Sequence, residues 1–163
     1  MIKPAWLLEA EKNVGVTEVK GPKHNAKITG WLQKLKAWWA EDETPWCGTF
    51  VAHCMYAACQ PIPKHWYRAK AWLDWGDPVS VPVVGAVVVF DRQGGGHVGF
   101  VVGKDAKGNL MVLGGNQGDM VKVSPFSMSR VAGFRLPRGY SVPVPNYLLP
   151  VLASDGKLSV NEA

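Results

Sequence analysis

The sequence predicts an α+β fold with helices first and an antiparallel sheet second, on three observations. Apolar residues recur at three- and four-residue steps through the first half of the 163-residue chain. After Pro82 the pattern changes to short valine-rich runs bounded by glycine. The segments between those runs are short enough to join neighbouring antiparallel strands. With 47% apolar and 19% charged residues, a chain of this length makes one domain whose core needs neither metal nor disulfide.

The elements follow in order. In Met1-Ile2-Lys3-Pro4-Ala5-Trp6-Leu7-Leu8-Glu9 the apolar run ends at Glu9, too short for a signal-peptide core or a membrane span. Synthesis without an export signal and no stable membrane insertion are therefore expected. From Asn25, the residues Ile28, Trp31, Leu32, Leu35, Trp38 and Trp39 form one amphipathic face whose tryptophans belong to the core. A second helix carries Cys47, Phe50, Val51, Cys54, Met55 and Ala58 and is stopped by Pro61 and Pro63. A third carries Ala69, Trp72 and Leu73 and closes near Gly76. Strands are expected at 85–91, 97–103, 110–114, 120–123 and 131–136, with Arg92-Gln93-Gly94-Gly95-Gly96 turning the first pair and Asp105-Ala106-Lys107-Gly108-Asn109 the next. Beyond Gly139, Pro143, Pro145 and Pro150 break the periodicity. The organisation is thus one domain over 1–138 followed by a wrapping or mobile tail over 139–163.

A net charge of +5 favours an anionic partner. The basic and acidic residues of the first 43 positions, Glu41, Asp42 and Glu43 among them, alternate as on a solvated face, and no nucleic-acid motif accompanies them. Nucleic acid is not the expected partner. The cysteines Cys47, Cys54 and Cys59 are odd in number and form no CxxC pair. On one helix, Cys47 and Cys54 would lie about 10 Å apart along the axis. Free thiols, no metal site and no cofactor are expected, with Cys54 and Cys59 as small buried apolar residues.

Cys47 differs from the other two because Thr44-Pro45-Trp46-Cys47-Gly48 feeds a helix N-terminus there. Unpaired backbone N–H groups and the helix dipole favour thiolate at such a position, lowering a cysteine pKa from about 8.5 to between about 3.5 and 7.5. A thiolate nucleophile needs a base near in space but remote in sequence. Of the four histidines, His24, His53 and His65 read as solvated or packing residues. His97 follows Gly94-Gly95-Gly96 and opens a strand that looks buried, and these glycines leave backbone beside it for a substrate. Asn116, after Leu110-Met111-Val112-Leu113-Gly114-Gly115, ends the next strand, where an antiparallel return brings it beside His97 to orient the imidazole. Gln117 and Asp119 are rivals for that role.

Four blocks carry a resemblance: 42–51 (Asp-Glu-Thr-Pro-Trp-Cys-Gly-Thr-Phe-Val), 71–76 (Ala-Trp-Leu-Asp-Trp-Gly), 96–103 (Gly-His-Val-Gly-Phe-Val-Val-Gly) and 113–118 (Leu-Gly-Gly-Asn-Gln-Gly). In this order they resemble the papain-like NlpC/P60 and CHAP cell-wall hydrolases, in particular a phage-associated, endolysin-like branch, over about residues 20 to 137. The resemblance implies a papain-like fold with helices packed on a sheet or half-barrel of about five strands. It implies Cys47 as nucleophile, His97 as general base and Asn116 as orienting residue. The reaction it implies is hydrolysis of a peptidoglycan amide, either the muramoyl–L-alanine bond or a bond within the peptide stem. On this reading Trp46, Trp72 and Trp75 either line the substrate groove or are plain core aromatics, with Gly96 and Gln117 also on the substrate side. The same reading makes the protein a monomer that gathers in the host cytoplasm before lysis and acts on the periplasmic wall. Two alternatives share the pattern: a thiol acyltransferase or interbacterial amidase effector on the same fold, and a non-catalytic wall-binding module.

Overall fold

The structure, a computed structural model, describes residues 2–42 and 44–159. Three α-helices, α1 (Ala5–Lys12), α2 (Ala26–Lys34) and α3 (Cys47–Ala57), precede a sheet of six strands: β1 (Asp77–Val79), β2 (Val87–Arg92), β3 (Gly95–Lys104), β4 (Leu110–Gly114), β5 (Lys122–Phe126) and β6 (Val131–Leu136). The spatial order is β1-β6-β2-β3-β4-β5 and every pairing is antiparallel. The α+β expectation holds, with one strand more than the five expected. β1 escapes the sequence pattern because it is three residues long and contains Pro78, which only a sheet edge tolerates.

The sheet is strongly curled. Phe90 on β2 and Phe126 on β5 stack with ring centroids 4.4 Å apart although β3 and β4 lie between them. Three strand spacings in a flat sheet would separate them by about 14 Å. Phe90, His97 and Phe126 therefore share the concave face of a half-barrel. The alternation along β3 puts Val98 and Phe100 on the opposite, convex face. There α3 packs, with Phe50 against Phe100 at 6.3 Å. Every residue of α3 from Cys47 to Met55 is buried, as befits a helix apolar on nearly all sides at the centre of a domain. Burial of Val87 to Phe90 on both faces explains why β2 reads as an unbroken apolar run.

Several boundaries moved for identifiable reasons. The helix expected to reach Trp39 ends at Lys34, because Lys36 takes a left-handed φ of 58° while the Lys36 and Ala37 N–H groups donate to the Gln33 and Leu32 carbonyls. This is a Schellman stop without its usual glycine. Trp38 consequently leaves the core and stands 87% exposed. The same motif at Cys59 (φ 58°) closes α3 and leaves that thiol exposed, against the expectation that it would be buried. The third expected helix is a 3-10 segment, Ala69–Asp74. The strand expected at 120–123 starts at Lys122, because Met120 and Val121 pair instead with Thr17 and Val16 near the N-terminus.

The tail, described as far as Ser159, wraps the same body. Asn146 is buried, donating to the Ile2 carbonyl and accepting from the Val84 N–H, and Leu152 and Ser159 donate to Lys104 and Pro125. The change of pattern near Gly139 is one of composition, not of packing.

Candidate active site

Cys47 opens α3, and its position follows from two anchors upstream. Asp42, expected on a solvated face, is wholly buried. It accepts the Val19 and Asn25 N–H groups at 2.9 and 2.7 Å, and His24 Nδ1 lies 3.0 Å away. Burial pushes its carboxyl up, but these contacts more than offset that and hold its pKa below the ordinary value. Nothing near Asp42 in sequence announces this role, since its partners lie 17 and 23 residues away. Glu43, from the same motif, lies outside the described residues. The second anchor is Trp46, buried, with Nε1 donating to Glu18 at 3.1 Å. Gly48 is required next to the cysteine, because a Cβ there would lie 2.5 Å from the Trp66 carbonyl oxygen and 2.9 Å from the Tyr67 backbone.

The sulfur sits where the β3/β4 ladder stops. The last registered pair is Phe100 with Leu113, and Gly114 is the final residue of β4. In the β2/β3 hairpin, ladder bonds alternate from the closing Arg92–Gly95 pair, so Phe90 and His97 exchange bonds while the Val98 N–H points the other way. Beyond the end of β4 that N–H has no strand to meet, and it faces Cys47 Sγ, together with the N–H groups of Gly48 and Cys47 itself. The thiol thus lies beside the peptide that follows His97, and an end of ladder that is invisible in sequence made the place for it.

Here the expectation of a lowered thiol pKa is overturned. Cys47 is only 6% exposed, and burial pushes its pKa up, outweighing the pull of the Val98 and Gly48 N–H groups, Arg92 and its own N–H. The helix N-terminus is present, but desolvation of the charge is the larger effect.

His97 is fully buried on the concave face. Its ring stacks on Phe126 at 5.3 Å, within 6° of parallel, and beside Phe90 at 6.3 Å. Its Nε2 meets Gln117 Oε1 at 3.0 Å. Gln117 Nε2 donates to the Val112 and Lys122 carbonyls at 3.2 and 2.8 Å, so the amide can turn only its oxygen to the imidazole. An oxygen acceptor there requires the proton on Nε2, which leaves the lone pair on Nδ1. Gly114 makes room for this pair, because a Cβ would fall on Gln117 Oε1 and 3.3 Å from His97 Nε2.

The imidazole Nε2 is thus held by Gln117, expected both as a rival for the orienting role and on the substrate side. Asn116, expected in that role, is buried beside it with a left-handed φ of 59°, a backbone state that asparagine tolerates better than most residues.

For Trp46, Trp72 and Trp75 the two places left open were groove and core. Trp46, Trp72 and Trp75 are buried, with indole N–H groups donating to Glu18, the Trp66 carbonyl and the Pro61 carbonyl. They belong to the core. The backbone at Gly96 is not open either: a Cβ there would lie 2.9 Å from the Phe90 carbonyl oxygen and 3.1 Å from the Lys70 stem, whose ammonium pairs with Asp91 at 3.0 Å. The open aromatic surface lies instead at Trp38, Trp39 and Tyr67, which with Glu41, Thr44 and Pro45 line a groove of about 210 Å³. Both tryptophans are expected in the core; Trp39 is half-buried and packs against it through Trp66, whereas Trp38 stands in solvent.

Residues 39–116 match the family model described as the CHAP domain. No curated protein and no solved structure matches the chain.

Proposed function

We propose that the chain is a cysteine-dependent peptidoglycan hydrolase of the endolysin type, a reading supported by the match of residues 39–116 to the CHAP domain model. The observation that carries this reading is the meeting of Cys47 Sγ with the Val98 N–H, one peptide beyond an imidazole whose Nε2 is held by Gln117.

In this reading Cys47 Sγ, held at the Val98 N–H where the β3/β4 ladder ends and so at the strand's edge between the two faces, passes its proton to His97 Nδ1 as it attacks the amide carbonyl, and a C–S bond forms. Burial keeps the resting thiol neutral, so proton transfer and attack occur together. The Cys47 N–H, at the start of α3, is one donor to the developing oxyanion; such a donor is typically worth about 10² to 10³ in rate. The imidazolium then protonates the leaving amine as the C–N bond breaks. Water, deprotonated by the neutral imidazole, hydrolyses the thioester and restores the thiol. Gln117 acts throughout as a positioning residue, because a proton fixed on Nε2 makes Nδ1 the nitrogen that cycles. Accumulation in a host cytoplasm before lysis belongs to the same reading.

The test is turbidity loss of permeabilised Gram-negative cells and mass spectrometry of the digested sacculi, with wild type and Cys47→Ala compared. Clearing and cut muropeptides are expected from wild type alone. Equal clearing by both proteins would refute thiol catalysis, no clearing by either would leave a non-catalytic wall-binding role, and muropeptides acylated onto an amine would make the enzyme a transferase.

A further inference from the structure

The groove formed by Trp38, Trp39 and Tyr67 takes no part in the steps just described, yet it is joined to the nucleophile on two sides. Thr44 and Pro45 line it three and two residues before Cys47, so the Pro45 Cα lies within about 7 Å of the Cys47 Cα. On the other side, the Tyr67 backbone lies against Gly48. The rings form a corner: Trp38 meets Trp39 edge to face at 5.0 Å, Tyr67 meets Trp39 edge to face at 5.4 Å, and Trp39 stacks on Trp66 at 5.8 Å. Trp66 is buried, so the corner has a rigid backing, while Trp38 offers its ring to solvent.

We propose that this groove holds a sugar ring of the glycan strand, and that the bond cleaved is therefore the amide between muramic acid and L-alanine; the inference rests on the thiol-hydrolase reading above. Three features favour a sugar over the peptide stem. A groove of about 210 Å³ with exposed aromatic faces suits the apolar C–H face of one pyranose. Its polar members, Glu41 and Thr44, are half-buried, with the Thr44 hydroxyl donating to the Glu41 carboxylate, and can meet hydroxyl groups. Glu41 is also the charged member of the described lining, and a carboxylate there repels a stem peptide rich in carboxylates while leaving a neutral sugar unaffected. The distance then selects the bond. A sugar seated this close to Cys47 brings the lactyl carbonyl of muramic acid to the sulfur, whereas a bond three residues down the stem would hold the sugar roughly 10 Å farther away.

The test uses the full chain. Digests of intact sacculi are expected to yield muramic acid with a free lactyl carboxylate and stems with a free L-alanine amine. Trp38→Ala is expected to lower kcat/KM about tenfold, chiefly through KM, with unchanged thermal unfolding because the side chain is exposed. In the Cys47→Ala background, peptide-free glycan strands are expected to shift tryptophan fluorescence, and Trp38→Ala to abolish that shift. Cys47-dependent products that keep the muramoyl–L-alanine bond, or binding of free stem peptide in place of glycan, would overturn this inference and leave the hydrolase reading intact. Cleavage that survives Cys47→Ala would overturn the thiol-hydrolase reading itself.

Discussion

Two imidazoles are buried in this protein, and they are seated by similar devices with different partners. His97 stacks on Phe126 and meets the neutral amide of Gln117; His53, six residues past Cys47 on α3, stacks on Trp31 at 5.0 Å and meets the Glu9 carboxylate at 3.0 Å. An aromatic face and an oxygen acceptor are thus a general way to house a histidine, and neither makes it chemical. What distinguishes His97 is the thiol beside the next peptide, together with an acceptor that fixes the tautomer without adding charge. Glu9 adds a charge that favours a protonated ring, but burial outweighs it and holds the His53 pKa below its ordinary value.

The largest effect expected from this comparison is also the one most able to break it. Cys47→Ala and His97→Ala should each lower hydrolysis of purified sacculi by at least about 10³, whereas His53→Gln should stay within about twofold at neutral pH. Interchanged effects for the two histidines would assign the chemistry to the wrong ring. Next in size, Gln117→Ala should cost about 10² in kcat/KM. Gln117→Glu should keep more activity but move the acid limb of the pH–rate profile upward, because a carboxylate against Nε2 stabilises imidazolium. A loss in Gln117→Ala with no change of profile in Gln117→Glu would reduce Gln117 to a packing role.

The thiol offers a third measurement. Burial raises the Cys47 pKa, so its alkylation by iodoacetamide, followed in Cys59→Ser to remove the exposed thiol, should be slow at pH 7 and climb only above about pH 8.5. A rate plateau reached below pH 7 would mean a standing thiolate–imidazolium pair. The smallest effect concerns His53. Its folded pKa is depressed, so the unfolded chain takes up that proton first as pH falls, and stability is lost on acidification below about pH 6.5. The fall in Tm between pH 7 and pH 5 should therefore be smaller in His53→Gln than in wild type. An equal fall would show that the acid loss arises elsewhere.

The legibility of the site in sequence was uneven for physical reasons. Cys47 at a helix start and His97 in a buried strand are local facts, carried by Pro45, the apolar periodicity and the glycines before His97. The burial of Asp42 and the exposure of Trp38 are not local. The first depends on backbone groups at Val19 and Asn25, and the second on a left-handed Lys36, a position where glycine would have been the signal. The buried tryptophans stay open between groove and core in sequence because an indole satisfied by a carbonyl and an indole awaiting a ligand look the same there.

By itself the sequence determined the order of helices and strands, the thiol at the head of the central helix and the histidine in the valine-rich half, because periodicity and capping act between residues a few positions apart. Tertiary structure alone decided how the sheet curls to bring Phe126 over His97, that the Gln117 amide meets the ring, and whether burial or the helix terminus governs the thiol. Those outcomes rest on dihedral angles, ladder ends and desolvation, which exist only once distant segments have been packed together.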